Sequence, residues 1–325
     1  MEVDIFVLKS LLIKILKRKG LNQSEATIIA DEYWEAEISG KKTHGIAKFL
    51  KELRYVADRK GSPSIIIDNK AVVLVDANKE IGQLGAKFCI DILINRTKRY
   101  GIGLIGMKNS QRYGSLSFWA NRIAQANLVG IITNSCEPAT AVFGGITPIL
   151  GTNPIAIGIP TFKEPIVLDM ATSKVSMSTL LYSAIYNKFL PKETFLDNKG
   201  NYTTDPTKVV AVEHFGGYKG FGLSFMLQIL SGALISANMG KDIHSPYDAG
   251  YYFQAIDPSI FQDIKLFKKH INQFVFEVKA SKLKKGFSKI IIPGERSKNL
   301  KQQNIKKGTI EISLKLFKNL NREAN

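Results

Sequence analysis

A glycine-rich stretch with one lysine is the part of this sequence best suited to bind an anion. It consists of Gly216-Gly217-Tyr218-Lys219-Gly220-Phe221-Gly222, and an apolar run from Leu223 to Ala237, typical of a helix, follows it. Glycines let the backbone approach a ligand because no Cβ intervenes, and free N–H groups at a helix N-terminus attract anions. The stretch is not a P-loop, since no Ser or Thr follows Lys219. It is either a phosphate or carboxylate site or a turn before a buried helix.

A loop histidine is the candidate for proton transfer. His44 lies in Gly40-Lys41-Lys42-Thr43-His44-Gly45, just after a predicted helix. Imidazole titrates near neutral pH, so His44 is either a proton carrier or an ordinary loop or capping residue. Lys48 comes about one helical turn later. We expect it on the same side as His44, where its charge could hold a substrate carboxylate.

Polar groups also follow two predicted strands. Arg112 lies in the segment Asn109–Gly114 between a strand and a helix, where it could clamp a carboxylate or a phosphate through two hydrogen bonds. The alternative is a strand-to-helix turn with surface polar residues. Asp169 ends another strand and either caps the next element or orients a partner group. The other histidines and the two cysteines have no metal-ligand spacing, so we expect no metal site.

Length and composition predict an ordered protein of two domains. The chain has 325 residues, of which 45% are hydrophobic. Two cysteines form no disulfide framework, and no secretory signal is visible, so we expect a cytoplasmic protein. The uncharged segment from Gly220 to Gly240 is long enough to span a bilayer, but its polar residues favour a buried helix and no membrane association.

The net charge of +17 raises the question of nucleic acid. The segment 261–325 holds 16 Lys/Arg and 5 Asp/Glu, a net charge of +11. These lysines alternate at helical spacing with apolar residues, a pattern that predicts a solvated helix face and a buried stripe. No nucleic-acid-binding signature accompanies them, so we expect no nucleic acid partner. The apolar residues of the stripe are Phe267, Ile271, Phe274, Val275 and Val278.

The order of predicted elements gives an α/β fold with helical ends. Residues 1–63 and 257–325 are predicted to form a helical domain, and residues 64–256 an α/β domain. The text motif Gly101-Ile-Gly103-Leu-Ile-Gly106 falls before and within a strand, so it is not a Rossmann dinucleotide loop. The residues from Pro191 to Thr207 are rich in turn formers and predict a surface loop. The predicted strands are Ser64–Ile67, Ala71–Val75, Gly103–Met107, Gly130–Thr133, Ile155–Ile159 and Ile166–Asp169.

Six ordered motifs give a resemblance that covers nearly the whole chain. Together they are similar to the type 2 malate/L-lactate dehydrogenase family of NAD(P)-dependent oxidoreductases, and they are far more specific as a set than singly. The motifs are Thr43-His44-Gly45, Leu150-Gly151-Thr152-Asn153-Pro154, Leu168-Asp169-Met170-Ala171-Thr172-Ser173, Thr203-Thr204-Asp205-Pro206, Gly217-Tyr218-Lys219-Gly220-Phe221-Gly222-Leu223 and Pro293-Gly294-Glu295.

The resemblance implies hydride transfer between a nicotinamide cofactor, NAD or NADP, and a small 2-hydroxy or 2-keto acid. It implies a cofactor-binding α/β domain that is not a Rossmann fold, a small anionic substrate and a homodimer. His44 is expected to act at the reacting carbon, with Lys48 and Arg112 holding the substrate. The residues expected to line the cofactor are Asp169, Met170, Ala171, Thr172, Ser173, Lys219, Gly220, Gly294 and Glu295.

Two departures from the family pattern concern the substrate side. The family usually has a histidine at the position of Arg112, and a guanidinium is a poor proton shuttle because it stays protonated. The family also favours arginine at the position of Lys48, so two-pronged carboxylate binding is lost there. Arg112 could take over carboxylate binding while His44 keeps the proton. The alternative is a cofactor-binding family member with altered or lost catalysis.

Overall fold

A seven-stranded mixed sheet forms the centre of the fold. The computed structural model describes residues 1–180, 183 and 188–325. In chain order the strands are β1 (Glu2–Asp4), β2 (Ser64–Asn69), β3 (Val72–Asp76), β4 (Ile102–Lys108), β5 (Val129–Asn134), β6 (Thr140–Ala141), β7 (Pro148–Leu150), β8 (Ile155–Ile159), β9 (Ile166–Met170), β10 (Phe195–Leu196), β11 (Tyr202–Thr203), β12 (Ala211–Val212), β13 (Tyr251–Ile256) and β14 (Thr309–Glu311).

Helices cover the sheet and predominate toward both ends of the described chain. We number the α-helices whose bounds the structure gives in chain order. They are α1 (Ile5–Arg18), α2 (Gln23–Ile38), α3 (Ile46–Glu52), α4 (Gly82–Tyr100), α5 (Leu116–Gln125), α6 (Tyr218–Leu230), α7 (Ile264–Lys279), α8 (Glu295–Lys307) and α9 (Leu314–Ala324).

The central sheet has the order β2-β3-β4-β13-β5-β8-β9, and β3–β4 is its one parallel pair. All six predicted strands are confirmed to within two residues at each end. The α/β class is therefore confirmed. A doubly wound parallel sheet is excluded, because antiparallel pairing dominates the order.

The glycines of the rejected dinucleotide motif serve close packing. Gly103 and Gly106 lie inside β4 and point to opposite faces of the sheet. A Cβ on Gly103 would lie 2.6 Å from Oγ1 of Thr97 in α4, and one on Gly106 would lie 2.6 Å from Ile235 on the other side. Neither opens a helix toward a phosphate, which agrees with the rejection made from sequence.

The two ends of the chain pack against each other. β1 pairs with β14, and Nη1 of Arg18 donates a 2.9 Å hydrogen bond to the carbonyl of Ala324. A capping box formed by Asn22 and Glu25 begins α2. One continuous hydrophobic core includes residues from both ends and from the central sheet. The division into a helical and an α/β domain therefore remains a proposal.

Three local features differ from the expectations drawn from sequence. The predicted surface loop from Pro191 to Thr207 contains β10 and β11, joined by a turn in which Asp197 accepts two backbone N–H groups. β13 was missed, although it lies at the middle of the sheet. The predicted buried stripe of α7 is only partly covered, and its Phe274 is 62% exposed. Local patterns do not show which apolar face finds a partner.

The apolar helix α6 also begins earlier than predicted, at Tyr218, so Lys219 and Gly220 lie in its first turn. The segment Tyr218–Ile235 is long and apolar enough to cross a membrane by length and composition alone, a test that core helices also pass. Polar contacts tie this helix to the fold. Asn153 donates hydrogen bonds from Nδ2 to the carbonyl of Ser224 and to Oε1 of Gln228, at 3.2 and 2.9 Å.

A fully buried carboxyl group joins the N-terminal helices to the loop after β4. Glu32 of α2 accepts a hydrogen bond from the backbone N–H of Ser115 at 2.6 Å and one from Nε2 of Gln83 at 3.3 Å. Burial raises the pKa of Glu32 to about 8, although the charge of Lys48 opposes the rise. The group is therefore mainly neutral at pH 7.

This neutral carboxyl makes stability depend on pH. Glutamate in the unfolded chain titrates near 4.5 and folded Glu32 near 8, so its stabilising contribution is complete below pH 4.5 and is lost as the pH rises to 8. Glu32→Gln is neutral throughout and keeps an acceptor for Ser115. Its free energy of unfolding should rise relative to wild type by on the order of 3 kcal/mol between those pH values.

Urea unfolding at pH 5 and pH 8 measures this difference. Glu35→Gln is the control, because Glu35 forms a partly exposed ion pair with Lys301 at 2.9 Å. A difference between Glu32→Gln and wild type that does not change with pH would show that Glu32 is ionised in the folded protein.

Candidate active site

A cleft of about 780 Å³ opens at the edge of the central sheet where several strands end. Its walls come from the loop before α3, the loop after β4, the segment after β5 and the end of β9. Its charged and titratable lining residues are Lys41, His44, Lys48, Arg112, Tyr113, Cys136, Glu137, Asp169, Lys174 and Tyr251. The structure therefore brings His44, Lys48, Arg112 and Asp169 together, four residues that are far apart in the sequence.

His44 is held in the neutral form. The hydroxyl of Thr43 lies 3.1 Å from Nδ1 of His44, within hydrogen-bond distance. Burial lowers the pKa of His44 well below its usual value, and the ammonium groups of Lys48 and Lys41 lower it further, whereas Asp169 opposes them. A neutral imidazole beside a carboxylate can accept a proton and return it.

Asp169 is the centre of a dense polar cluster at the start of α5. Its Oδ2 accepts hydrogen bonds from Nζ of Lys41 at 2.5 Å, from Oγ of Ser115 at 3.2 Å and from the backbone N–H of Ser117 at 3.1 Å. Burial alone would raise the pKa of Asp169, but the charge and hydrogen bond of Lys41 outweigh it and lower the pKa. The carboxylate is therefore firmly ionised.

The two predicted anion-binding cations are already paired. Arg112 forms an ion pair with Glu137, and 42% of its side chain is exposed. Nζ of Lys48 lies 3.8 Å from Oε1 of Glu52, whose other oxygen accepts a hydrogen bond from Tyr33. An anionic ligand in the cleft has to compete with these carboxylates or share their cations.

A second cavity of about 360 Å³ adjoins the cleft. Lys41, Ser115 and Asp169 line both spaces and form the wall between them. Gly294 also lines the second cavity, and its role toward the cofactor stays a prediction; a group of cations to which sequence reasoning gave no role lines it as well. These cations are Arg296, Lys298 and Lys301.

The remaining predicted cofactor residues divide into two groups. Met170, Ala171 and Ser173 line the cleft beside Asp169. Thr172 is buried and its hydroxyl donates a 2.9 Å hydrogen bond to the carbonyl of Thr152, so it stabilises the turn. Glu295 begins α8 and pairs with Lys279 at 2.6 Å, outside both cavities.

Lys219 and Gly220 do not line either cavity. The structure places them in the first turn of α6, where a Cβ on Gly220 would lie 2.1 Å from the carbonyl oxygen of Phe215. This glycine therefore serves backbone packing. Their predicted role toward a cofactor gains no support from the cleft of the same chain.

Sequence reasoning missed the residues that organise the polar cluster. Lys41, Ser115, Ser117 and Glu137 have no motif that marks them, because their roles depend on which strand ends meet. The one available signal was Lys41, which stands three residues before His44 in the same loop. Within the described residues, no group of three or more His, Cys, Asp or Glu side chains could hold a metal ion.

The chain is similar to known enzymes over almost its full length. The profile of the malate/L-lactate dehydrogenase family matches residues 3–321. A malate/(S)-sulfolactate dehydrogenase of Methanothermus fervidus is 33% identical over 98% of this chain and 95% of the relative. A ureidoglycolate dehydrogenase (NAD(+)) of Escherichia coli is 28% identical over 96% of this chain and 93% of the relative.

The fold agrees with this similarity. The structure of sulfolactate dehydrogenase from Methanocaldococcus jannaschii superposes with a TM-score of 0.90 and 30% identity, covering 100% of this chain and 97% of that one. Malate dehydrogenase from Pyrococcus horikoshii superposes with a TM-score of 0.89 and 29% identity, covering 100% and 94%. The chain therefore belongs to the malate/L-lactate dehydrogenase family.

Proposed function

We propose that this protein interconverts a small 2-hydroxy acid and its 2-keto acid, with His44 moving the proton and Arg112 and Lys48 binding the acid. Membership of the family makes the chain an NAD(P)-dependent oxidoreductase that acts on CH–OH groups. The observation that carries the residue roles is the position of His44 in the larger of two adjoining cavities, whose lining also contains Lys41, Lys48 and Asp169, the charges that act on its pKa.

The two cavities fit a dinucleotide in size and chemistry. The cleft offers apolar lining from Pro154, Met170 and Ala171, which suits a flat ring, and the adjoining cavity offers Lys298 and Lys301, which suit phosphate groups. When bound, the nicotinamide of NAD or NADP accepts or supplies the hydride. Met170, Ala171 and Ser173 would hold it in the cleft, and Gly294 lies at the wall of the adjoining cavity.

In both directions of the reaction, His44 carries the proton. During oxidation, neutral His44 accepts the proton of the substrate hydroxyl at its ring nitrogen, and Asp169 stabilises the imidazolium that forms. During reduction, the imidazolium returns that proton to the carbonyl oxygen. Arg112 stays charged at every relevant pH, so it orients the substrate and takes no part in proton transfer.

The charges favour a substrate with two anionic groups. Arg112 and Lys48 approach the cleft from separate elements, so each can meet one negative group of a malate-like or sulfolactate-like acid. Arg112 must be shared with Glu137 or released from it when the substrate binds. The alternative of a cofactor-binding protein without catalysis gains no support, since the relatives reported above are all named as dehydrogenases.

Two further properties complete the proposal. We infer a homodimer formed through α6, because this helix carries no Asp, Glu or Arg and presents apolar side chains to solvent. These exposed side chains are Tyr218 at 62%, Phe225 at 48%, Met226 at 60% and Ile229 at 38%.

We also infer a cytoplasmic location, which the unpaired thiols of Cys89 and Cys136 support.

Replacing the proton carrier should abolish turnover and leave cofactor binding intact. In His44→Asn, kcat should fall by about 10²- to 10⁴-fold, because general acid–base catalysis is lost. Steady-state assays with malate and sulfolactate measure kcat, and fluorescence titration with NADH and NADPH measures Kd. His244→Asn, at an exposed position outside both cavities, is the control. Normal kcat in His44→Asn would refute the assigned role.

Removing the guanidinium should weaken substrate binding. In Arg112→Met, the KM for a dianionic acid should rise by about 10- to 100-fold, because a charge-assisted hydrogen bond to the substrate is lost. Arg99→Met, at the exposed end of α4, is the matched control. An unchanged KM in Arg112→Met would place the substrate's charge elsewhere in the cleft.

A charge on α6 should break the dimer. Met226→Glu would bury a carboxylate in the proposed interface, so analytical ultracentrifugation should show monomers. Phe162→Glu introduces the same charge at another exposed aromatic position, 53% exposed, and should leave the dimer intact. Dimeric Met226→Glu protein would exclude α6 as the interface.

A further inference from the structure

The loop before His44 contains two adjacent lysines with different surroundings. Nζ of Lys42 pairs with Glu37 at 2.6 Å and is directed away from the cleft. Nζ of Lys41 lies in the wall between the cleft and the adjoining cavity, where it donates hydrogen bonds to Asp169 and to Ser117, both at 2.5 Å. Only 25% of the Lys41 side chain is exposed.

Lys41 holds a carboxylate whose contacts are concentrated on one oxygen. Oδ2 of Asp169 also accepts from the hydroxyl of Ser115 and the backbone N–H of Ser117. Ser115 in turn is fixed by Glu32 through its own backbone N–H. The carboxylate is thus clamped between the loop before α3 and the start of α5, so its place relative to His44 is set by elements outside β9.

The charges that face His44 come from three elements. Lys41 belongs to the loop of His44 itself, Lys48 to α3 and Asp169 to β9. Arg112 and Glu137 line the same cleft as a neutralised pair. The negative charge of Asp169 favours the imidazolium and that of the two lysines disfavours it, so Lys41 offsets the effect of Asp169 on His44.

We propose that Lys41 is a positioning residue that clamps the Asp169 carboxylate beside His44 and thereby sets the pH range in which His44 exchanges its proton. The inference rests on the proposed role of His44. It assigns a function to a cation that lines both cavities and was not singled out from the sequence. Burying an ammonium group is costly unless it is paired, and Lys41 is paired with Asp169, the carboxylate whose charge raises the pKa of His44.

The test follows His44 directly as well as through turnover. The chain contains four histidines, so NMR titration of imidazole signals in the full protein can resolve His44, with His44→Gln for assignment. In Lys41→Met, the pKa of His44 should rise by about one unit, because the positive charge of Lys41 no longer opposes the effect of the Asp169 carboxylate. The acidic limb of the kcat/KM profile for oxidation should move to higher pH by the same amount.

Three further variants separate charge from packing. Lys41→Arg should keep the wild-type titration, because it retains the cation. Lys42→Met is the matched control and should also titrate like wild type. Asp169→Asn should move the pKa of His44 in the opposite direction, downward, because the stabilising charge is removed.

The outcomes distinguish this proposal from the proposed function. An unchanged His44 titration in Lys41→Met, or lower activity at every pH without a shift, would overturn the role of Lys41. The two ideas can also fail separately. If Lys41→Met shifts the titration of His44 while the wild-type protein turns over no 2-hydroxy acid, the role of Lys41 is supported and the proposed function is refuted.

Discussion

The ion pair between Lys41 and Asp169 is the contact on which the site depends. It joins the loop that carries His44 to the end of β9, and so it fixes the N-terminal helices on the edge of the central sheet. Without it, a buried carboxylate next to His44 would lack its cation, which costs several kcal/mol for groups of this kind. Both members of the pair act on the pKa of the imidazole, together with burial and the charge of Lys48. One pair of side chains thus contributes both to the packing of these segments and to the charge around His44.

Charge pairing is the general rule in the cleft. Arg112 is matched by Glu137, Lys48 by Glu52 and Lys174 by Glu213, so few of the protein's excess positive charges are concentrated here. A cleft with paired cations selects an anion by exchange of partners, since the ligand must offer better geometry than the resident carboxylate. The excess charge of the chain lies mainly in its C-terminal segment, and this explains why net charge alone did not reveal the site.

Local sequence patterns predicted the elements well where the signal is local. The six predicted strands are the example, because their β-branched runs lie within a few residues of sequence. The middle position of β13, the partly uncovered face of α7 and the cluster of Lys41, Ser115 and Ser117 depend on contacts between distant segments. His44, Lys48, Arg112 and Asp169 could be proposed because their residue types are chemically active. Their roles, like those of the cofactor residues, remain proposals.

The pairing of β1 with β14 has a consequence for the order of folding. Lys301 pairs with Glu35, and Nδ2 of Asn304 donates a 2.8 Å hydrogen bond to the carbonyl of Ile38, so the last part of the chain holds the helix that precedes the His44 loop. These contacts join residues more than 260 positions apart. They form late in folding, because the long chain between the two residues must be ordered first. On the ribosome, the N-terminal helices therefore lack these contacts until the segment that contains Lys301 and Asn304 has emerged.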